Sequence, residues 1–198
     1  MSIDPSPDPS PGQRGKSAET TRSAMLHAAH TRFMHESYEN VGLRDIAGDV
    51  GVDVALVSRY FGSKEELFRE VLGMGRKREI LPADLSHDAI PGYLASLFLS
   101  QGDEANENVE RLLILLRSAS SPIASQIVRE ALRRDVLVPL AEHLGGERPE
   151  LRASTSMAVW MGMTIMRTII AVESLGPGDP EMERKLRLLF EAALSEAS

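Results

Sequence analysis

Three histidines near the N-terminus are the first residues whose spacing could support chemistry. His27 and His30 are three positions apart, so both could face one metal ion on a helix, and His35 follows them. No Asp, Glu or Cys with ligand spacing supports them, and the chain contains no cysteine. The sequence also lacks a nucleophile elbow, a phosphate-binding P-loop and an H-E-x-x-H motif. We therefore predict no catalytic residue, no metal and no cofactor, and we expect that the chain is not an enzyme.

Residues 43–72 have the pattern of two short helices joined by a tight turn and followed by a third helix. Apolar residues at helical spacing predict the first helix over residues 43–50. Gly51 suits a left-handed turn, and Asp53 is a good N-cap for the second helix over about 54–60. This pattern is typical of a helix-turn-helix motif, whose second helix can enter a major groove of DNA.

The second of these helices has a buried side and an outer side. Val57 and Phe61 would hold it to the core, which leaves five residues for the outside: Val54, Ala55, Ser58, Arg59 and Tyr60. Ser63 and Glu66 predict a capping box at the start of the third helix, which would connect this region to the rest of the chain.

Charge is unevenly distributed along the chain. The net charge is −7, but residues 14–80 carry eleven basic against ten acidic side chains, whereas residues 81–198 carry eleven against seventeen. Local potential matters more for phosphate binding than the total charge, so this balance permits DNA binding without requiring it.

Helical periodicity continues to the C-terminus, and no segment has the alternation of a strand. We predict an all-α fold of about nine helices, with a disordered arm (1–16), a helix-turn-helix domain with its connector helix (17–78) and a helical-bundle body (79–198). The first helix should be capped by Ser17 or Thr20 and run to about Glu36. The connector should run to about residue 78, and the body helices over about 88–100, 106–119, 122–143, 149–173 and 180–196. The longest apolar run, 157–172, is broken by Arg167 and two threonines, so we predict no membrane span and a cytoplasmic protein.

Residues 22–72 resemble the DNA-binding head of TetR/AcrR-type transcriptional regulators. The resemblance is carried by Phe33, Tyr38, Leu43-Arg44-Asp45-Ile46-Ala47, Val50-Gly51-Val52 and Arg59-Tyr60-Phe61-Gly62-Ser63-Lys64-Glu65-Glu66-Leu67. It implies a homodimer that binds a pseudo-palindromic operator on double-stranded DNA, most often as a repressor, and that a small-molecule effector releases. A helical adaptor, or a regulator that lacks an effector, is the alternative.

The resemblance also implies roles for individual residues. Tyr60 and Lys64 would contact phosphates, and Arg44 would reach a base edge or the backbone. The full set of DNA-binding residues that we predict is Arg44, Val54, Ala55, Ser58, Arg59, Tyr60, Ser63 and Lys64. The chain departs from the family pattern in three places: Gly42 replaces a hydroxyl-bearing residue, Ser58-Arg59 replaces two aromatics, and His30 replaces a leucine.

The body contains a methionine-rich segment over residues 157–170 that could line an adaptable pocket, although plain core packing is the alternative. The pocket residues that we predict are Leu116, Trp160, Met163 and Arg167. A buried charge is costly without a partner, so we expect Arg167 to pair with Glu173 or an acid on another helix; an anionic ligand is the second possibility.

In regulators of this type the last two long helices usually form the dimer interface. The apolar stripe that we predict for it is Leu186, Leu189, Phe190 and Ala193, with packing inside one chain as the alternative.

Overall fold

A computed structural model of the chain describes residues 11–74, 81–82, 84–100, 103–176 and 179–196. These ranges contain ten α-helices and no strand, which confirms the predicted all-α fold. The first four helices form the head: α1 (Pro11–His35), α2 (Leu43–Val50), α3 (Val54–Phe61) and α4 (Lys64–Gly73).

The turn between α2 and α3 forms as its residue types predict. Gly51 ends α2 in the left-handed conformation, with φ 72° and ψ 35°. The amide of Val52 donates to the Ala47 carbonyl at 3.0 Å, and this bond closes the end of α2. The Asp53 carboxylate then accepts from the Ala55 amide at 2.7 Å, which caps α3. Local hydrogen bonds therefore fix the angle at which α3 leaves α2.

The remaining six helices form the body: α5 (Ile90–Leu99), α6 (Asp103–Ser118), α7 (Pro122–Leu132), α8 (Val138–Leu144), α9 (Pro149–Thr164) and α10 (Pro180–Leu194). A π-helical turn, Arg133–Leu137, divides the single helix predicted over 122–143 into α7 and α8. Pro139 explains the division, because its ring has no N–H and displaces the carbonyl four residues before it. A second π-helical turn, Ile165–Ile169, extends α9.

Two hydrophobic clusters hold these helices together. The head core is built around Phe33, Tyr38 and Phe68, and it also contains Ile114 of α6 and Ile127 of α7. The head therefore shares one core with two helices of the body. The body core joins α5, α8 and α10 through eight longer side chains: Ile90, Leu94, Phe98, Leu140, Leu144, Met182, Leu186 and Phe190. Helix α9 adds the buried Ala153 and packs Trp160 and Met163 on this cluster.

Two further sequence predictions, both about the ends of helices, differ from the structure. Helix α1 begins at Pro11, so residues 11–16 are helical and not part of a disordered arm; proline is favoured in the first turn because its missing N–H would have no helical partner there. Residues 1–10 lie outside the described residues. The connector α4 ends at Gly73, before the predicted residue 78, and Met74 is extended. Residues 75–80 also lie outside the described residues.

No helix within the described ranges combines the length and the apolar character that crossing a membrane requires.

Candidate nucleic-acid interface and effector site

The outer face of α3 carries the side chains that the sequence assigned to it. Ala55, Ser58 and Arg59 are exposed, and Val54 and Tyr60 are partly buried where they pack on the head core. Val57 and Phe61 lie on the opposite side with 0% and 5% of their surface exposed. The helix thus presents a short polar face that is held rigidly from behind.

Arginines in the head fall into two groups. Arg22 pairs with Glu70, Arg32 with Asp49, and Arg69 with both Glu66 and Glu130. Arg44 at the start of α2 and Arg59 on α3 are exposed and form no ion pair with any residue that the structure describes.

Arg32, which pairs with Asp49, illustrates the structural role of the paired arginines. Its Nη2 donates to Asp49 Oδ1 at 2.8 Å and its Nε donates to Oδ2 at 2.5 Å. These hydrogen bonds lower the pKa of Asp49 and join α1 to α2. The paired arginines therefore support the fold, and Arg44 and Arg59 are left with donors that can bind a partner.

The N-terminus of α4 presents Ser63 and Lys64. The Ser63 hydroxyl accepts from the Glu66 amide at 3.2 Å, which is one half of the predicted capping box. The other half does not form, because the Glu66 carboxylate instead accepts from Arg69 at 2.8 Å. Lys64 Nζ lies 4.2 Å from the centre of the Tyr38 ring. Partial burial there lowers the pKa of Lys64.

The N-terminus of α2 compensates for the missing hydroxyl at Gly42. The Gly42 amide donates to Asp45 Oδ2 at 3.0 Å, so a side chain inside the helix caps it. A Cβ on residue 42 would lie 2.8 Å from that same oxygen. Gly42 therefore leaves room for Asp45, and Asp45 places a negative charge at this helix N-terminus, where the chain lacks the hydroxyl of the family pattern. Sequence reasoning missed this contact, although the three-residue spacing of a capping box could have revealed it.

The four residues predicted to line a pocket do not come together. Trp160 and Met163 of α9 pack on the body core. Arg167 lies in the π-helical turn that follows α9, with its Cζ 4.1 Å from the centre of the Phe98 ring. Leu116, in contrast, is 44% exposed on α6, whose main contacts are with α1 and α7. Leu116 is thus separate from the other three.

The expected acidic partner of Arg167 is also not found. No hydrogen bond or ion pair joins its guanidinium to any residue that the structure describes, and burial lowers its pKa. Glu173 is exposed in the short 3₁₀ helix Glu173–Leu175. The aromatic ring of Phe98 takes the place that we expected a carboxylate to fill.

The predicted dimer stripe is partly wrong. Leu186 and Phe190 are 0% exposed because they point into the body core, where α10 packs on α5. They cannot form a surface between two chains. Leu189 is 44% exposed and its neighbour Leu188 is 50% exposed, whereas Ala193 is partly buried.

Helix α9 lies beside α10 and contributes to the same outer surface. Thr155 Oγ1 donates to the Ala193 carbonyl at 3.0 Å, and Arg152 Nε donates to the Leu194 carbonyl at 2.6 Å. On α9 the exposed residues Leu151, Ser154, Ala158 and Gly162 follow one another at three- and four-residue spacing, so they share one side of the helix. We call these four, together with Leu188, Leu189 and Ala192 of α10, the outer α9–α10 face.

Two of the three histidines of α1 have structural partners. His30 Nε2 lies 3.5 Å from Glu110 Oε2 of α6, and His35 Nδ1 lies 2.8 Å from the Thr31 carbonyl. His27 is exposed. In the described part of the chain, no group of three His, Asp or Glu side chains is arranged to hold a metal ion.

Polar contacts between head and body are a feature that the sequence did not reveal. Arg111 Nη2 of α6 donates to the Met74 carbonyl at the end of α4. The Ser121 hydroxyl, which caps α7, donates to Glu39 beside the helix-turn-helix. With the contact between α1 and Glu110, these bonds attach three parts of the head to α6 and α7. Their partners are far apart in the sequence, so no local pattern indicates them.

Comparisons with known proteins agree with this architecture. Residues 25–71 match the family model described as "Bacterial regulatory proteins, tetR family". Residues 88–186 match the model described as "Tetracyclin repressor-like, C-terminal domain". The HTH-type transcriptional regulator BetI of Agrobacterium fabrum is 39% identical over 73 residues, which are 37% of this chain and 32% of BetI. The match thus spans about a third of the length of that relative.

Several solved structures share the fold over nearly the whole chain. NalD, the secondary repressor of the MexAB-OprM multidrug efflux pump in Pseudomonas aeruginosa, has a TM-score of 0.64 at 17% identity and covers 90% of this chain and 95% of its own. GusR of Salmonella enterica has a TM-score of 0.66 at 14% identity, with 88% and 95% covered. SmeT in complex with triclosan has a TM-score of 0.63 at 19% identity, with 88% and 90% covered.

Proposed function

The chain belongs to the tetR family of bacterial regulatory proteins, which are DNA-binding transcriptional regulators and not enzymes, and we propose that it acts as a repressor. In this proposal it binds a pseudo-palindromic operator in the cytoplasm as a homodimer, and a small molecule that binds the body releases it. NalD is itself a repressor, and SmeT has been seen with triclosan bound. These two relatives support the proposal through their shared fold.

The proposed DNA contacts rest on one observation, namely which arginines of the head form ion pairs and which do not. Arg22, Arg32 and Arg69 are engaged in ion pairs, and Arg44 and Arg59 are exposed without one among the described residues. An exposed arginine with free donors can bind the two acceptors on the edge of a guanine, or a phosphate. We assign Arg59 to base recognition because it lies on α3, and Arg44 to the adjacent backbone or base edge.

Three further side chains are proposed to position the head on the phosphates. The Tyr60 hydroxyl and the Ser63 hydroxyl can donate to phosphate oxygens, and Lys64 adds its charge to the N-terminus of α4. Lys64 lies on the Tyr38 ring, so it approaches DNA from a fixed direction. Val54, Ala55 and Ser58 would line the rest of the contact.

The outer α9–α10 face is the proposed dimer interface. Its residues are small or apolar, and such a surface is unusual on a helix pair that faces water. Leu188 and Leu189 replace Leu186 and Phe190 in this role, since the latter two belong to the body core. Two heads joined in this way must place their α3 helices about 34–36 Å apart, one helical turn of DNA.

The contacts of α6 with the head are the proposed route from ligand to DNA. Arg111 attaches α6 to the end of α4, and Glu110 attaches it to His30 of α1. A ligand that displaces α6 would therefore move two head helices together and change the separation of the α3 helices.

Binding to a duplex selected from a random pool by the wild-type chain, measured by fluorescence anisotropy at several salt concentrations, tests the assignment of the arginines. Replacing both Arg44 and Arg59 by alanine should abolish most binding, whereas Arg117→Ala, an exposed arginine on α6, should leave it unchanged. If the double variant binds as wild type does, the proposed surface is wrong. If the wild-type chain binds no duplex at all, the helical-adaptor alternative is favoured, and the engaged Gly42 amide would be its structural basis.

A further inference from the structure

Arg167 differs from every other partly buried arginine in the described part of the chain. The others are Arg22, Arg32, Arg69, Arg111 and Arg152, and each forms hydrogen bonds or ion pairs. Arg152, for example, donates to three backbone carbonyls and forms an ion pair with Glu196. The fold therefore satisfies its partly buried guanidinium groups, with Arg167 as the exception.

The environment of Arg167 is apolar and aromatic. Its guanidinium lies on the Phe98 ring, with 4.1 Å between Cζ and the ring centre. Met163 and Trp160 lie about one and two helical turns before it, and both pack on the body core. Burial lowers the pKa of Arg167, but an arginine remains charged at neutral pH. A cation is thus held on an aromatic ring, and the helix that carries it also presents two apolar side chains to the body core.

The backbone at this position is irregular. Arg167 lies in the π-helical turn Ile165–Ile169, and turns of this kind occur often at functional sites. Thr164 and Thr168 donate to the carbonyls four residues before them, at 2.8 Å and 2.6 Å, which favours a local change of helix geometry. Ala171 follows in the left-handed region at φ 58°, which is costly for a residue with a Cβ. A distorted helix therefore presents the one partly buried guanidinium that has no partner among the described residues.

We propose that this position binds a small carboxylic acid with an apolar body, with Arg167 as the counter-ion of the carboxylate. The Arg167 guanidinium lies over the Phe98 ring and has no hydrogen-bond partner among the described residues, and its planar set of five N–H donors suits a bidentate carboxylate. In this proposal the apolar body lies against Met163 and Trp160, which are partly buried about one and two turns before Arg167 on the same helix. A neutral or cationic molecule of the same shape would leave the guanidinium unpaired. The proposal names the chemical class of the effector and rests on the proposed function only for the step in which binding releases DNA.

The chain contains a built-in reporter for this test, since Trp160 is its only tryptophan. Full-length protein is titrated with two optically silent probes, decanoate and 4-cyclohexylbutyrate, and with their primary amides, while Trp160 fluorescence is recorded. Acetate serves as the control for the anion without an apolar body. We expect at least one of the two carboxylates to bind, and to bind about tenfold or more tightly than its amide.

Substitutions test whether Arg167 causes the preference for a carboxylate over its amide. Arg167→Met should reduce the preference for carboxylate over amide to about one, and Arg167→Lys should retain part of it. Arg129→Met removes the same charge from an exposed position on α7 and should keep the wild-type preference. Circular dichroism of each variant checks that the helices are intact. If Arg167→Met cannot be folded, the comparison of Arg167→Lys with wild type still decides the matter.

The outcomes separate this proposal from the proposed function. Binding of neither carboxylate, equal binding of acids and amides, or an unchanged preference in Arg167→Met and Arg167→Lys overturns the anion site. DNA binding is measured in parallel, without probe and with the carboxylate probes. Carboxylate binding that depends on Arg167 but leaves the DNA complex intact supports the site and contradicts release by this ligand. Failure of the chain to bind DNA leaves the fluorescence result valid.

Discussion

Replacing Leu188 and Leu189 by glutamate should break the proposed homodimer. The two side chains are 50% and 44% exposed in a single chain, so a partner can bury about half of each. Complete burial of a leucine is worth roughly 1.5–3 kcal/mol, and each half is therefore worth about 1 kcal/mol. A two-fold interface contains four such side chains, or about 4 kcal/mol, which corresponds to about a thousandfold in the dissociation constant. Glutamates facing each other would add repulsion.

Sedimentation velocity over a range of protein concentrations measures the effect. Ile123→Glu is the matched control, because Ile123 is 48% exposed on α7, away from the outer α9–α10 face. The double variant should sediment as a monomer at concentrations where wild type and Ile123→Glu are dimers. Its circular dichroism and melting temperature, measured under conditions where wild type is monomeric, should change little, because neither leucine belongs to the body core. A double variant that remains a dimer would refute the interface.

Three other substitutions test separate parts of the account. Lys64→Ala should weaken binding on all sequences about equally and lower the salt slope by about one unit, measured by anisotropy against salt; a loss confined to one operator base would contradict a phosphate contact. Gly42→Ser should displace the Asp45 carboxylate, free a helix N-terminus for phosphate and tighten DNA binding by about 0.5–1.5 kcal/mol in the same assay; weaker binding would show that Asp45 is not in the way. His30→Leu should reduce the loss of stability in acid, measured by urea unfolding from about pH 8 to about pH 5; an unchanged pH dependence would remove His30 as its cause.

The sign of the His30 effect follows from burial. Burial lowers the pKa of His30 below its usual 6.5, and the nearby Glu110 opposes this only in part. In mild acid, His30 therefore binds a proton more readily in the unfolded chain than in the folded chain. The contribution of neutral His30 to stability is present above about pH 6.5 and is lost as the pH falls.

Local hydrogen-bonding chemistry made the head predictable from the sequence. Gly51 ends α2, Asp53 caps α3 and Ser63 caps α4, and each of these contacts joins residues at most five positions apart. Residue type alone decides such contacts, because the required φ angle or acceptor is available to few side chains. The exposure of Arg59 followed from the helical spacing of Val57 and Phe61, which face the core from the other side of α3.

Tertiary packing limited the prediction in the body. Leu186 and Phe190 form an apolar stripe on α10, and periodicity predicts that such a stripe is buried but not by which surface. Its partner is α5, about 90 residues earlier in the chain, so the intrachain contact could not be found locally. The same limit applies to Arg167, whose neighbour Phe98 lies on that helix.

Selection of bound duplexes from a random pool with the purified full-length chain shows whether the protein binds an operator as a dimer. We predict that one pseudo-palindrome is enriched, with half-sites about one helical turn, or ~10 base pairs, apart. The same selection with Arg59→Ala should relax the choice of base within each half-site and leave the spacing unchanged. A pool that shows no enrichment, or that yields a single asymmetric half-site, would contradict a dimeric operator-binding regulator.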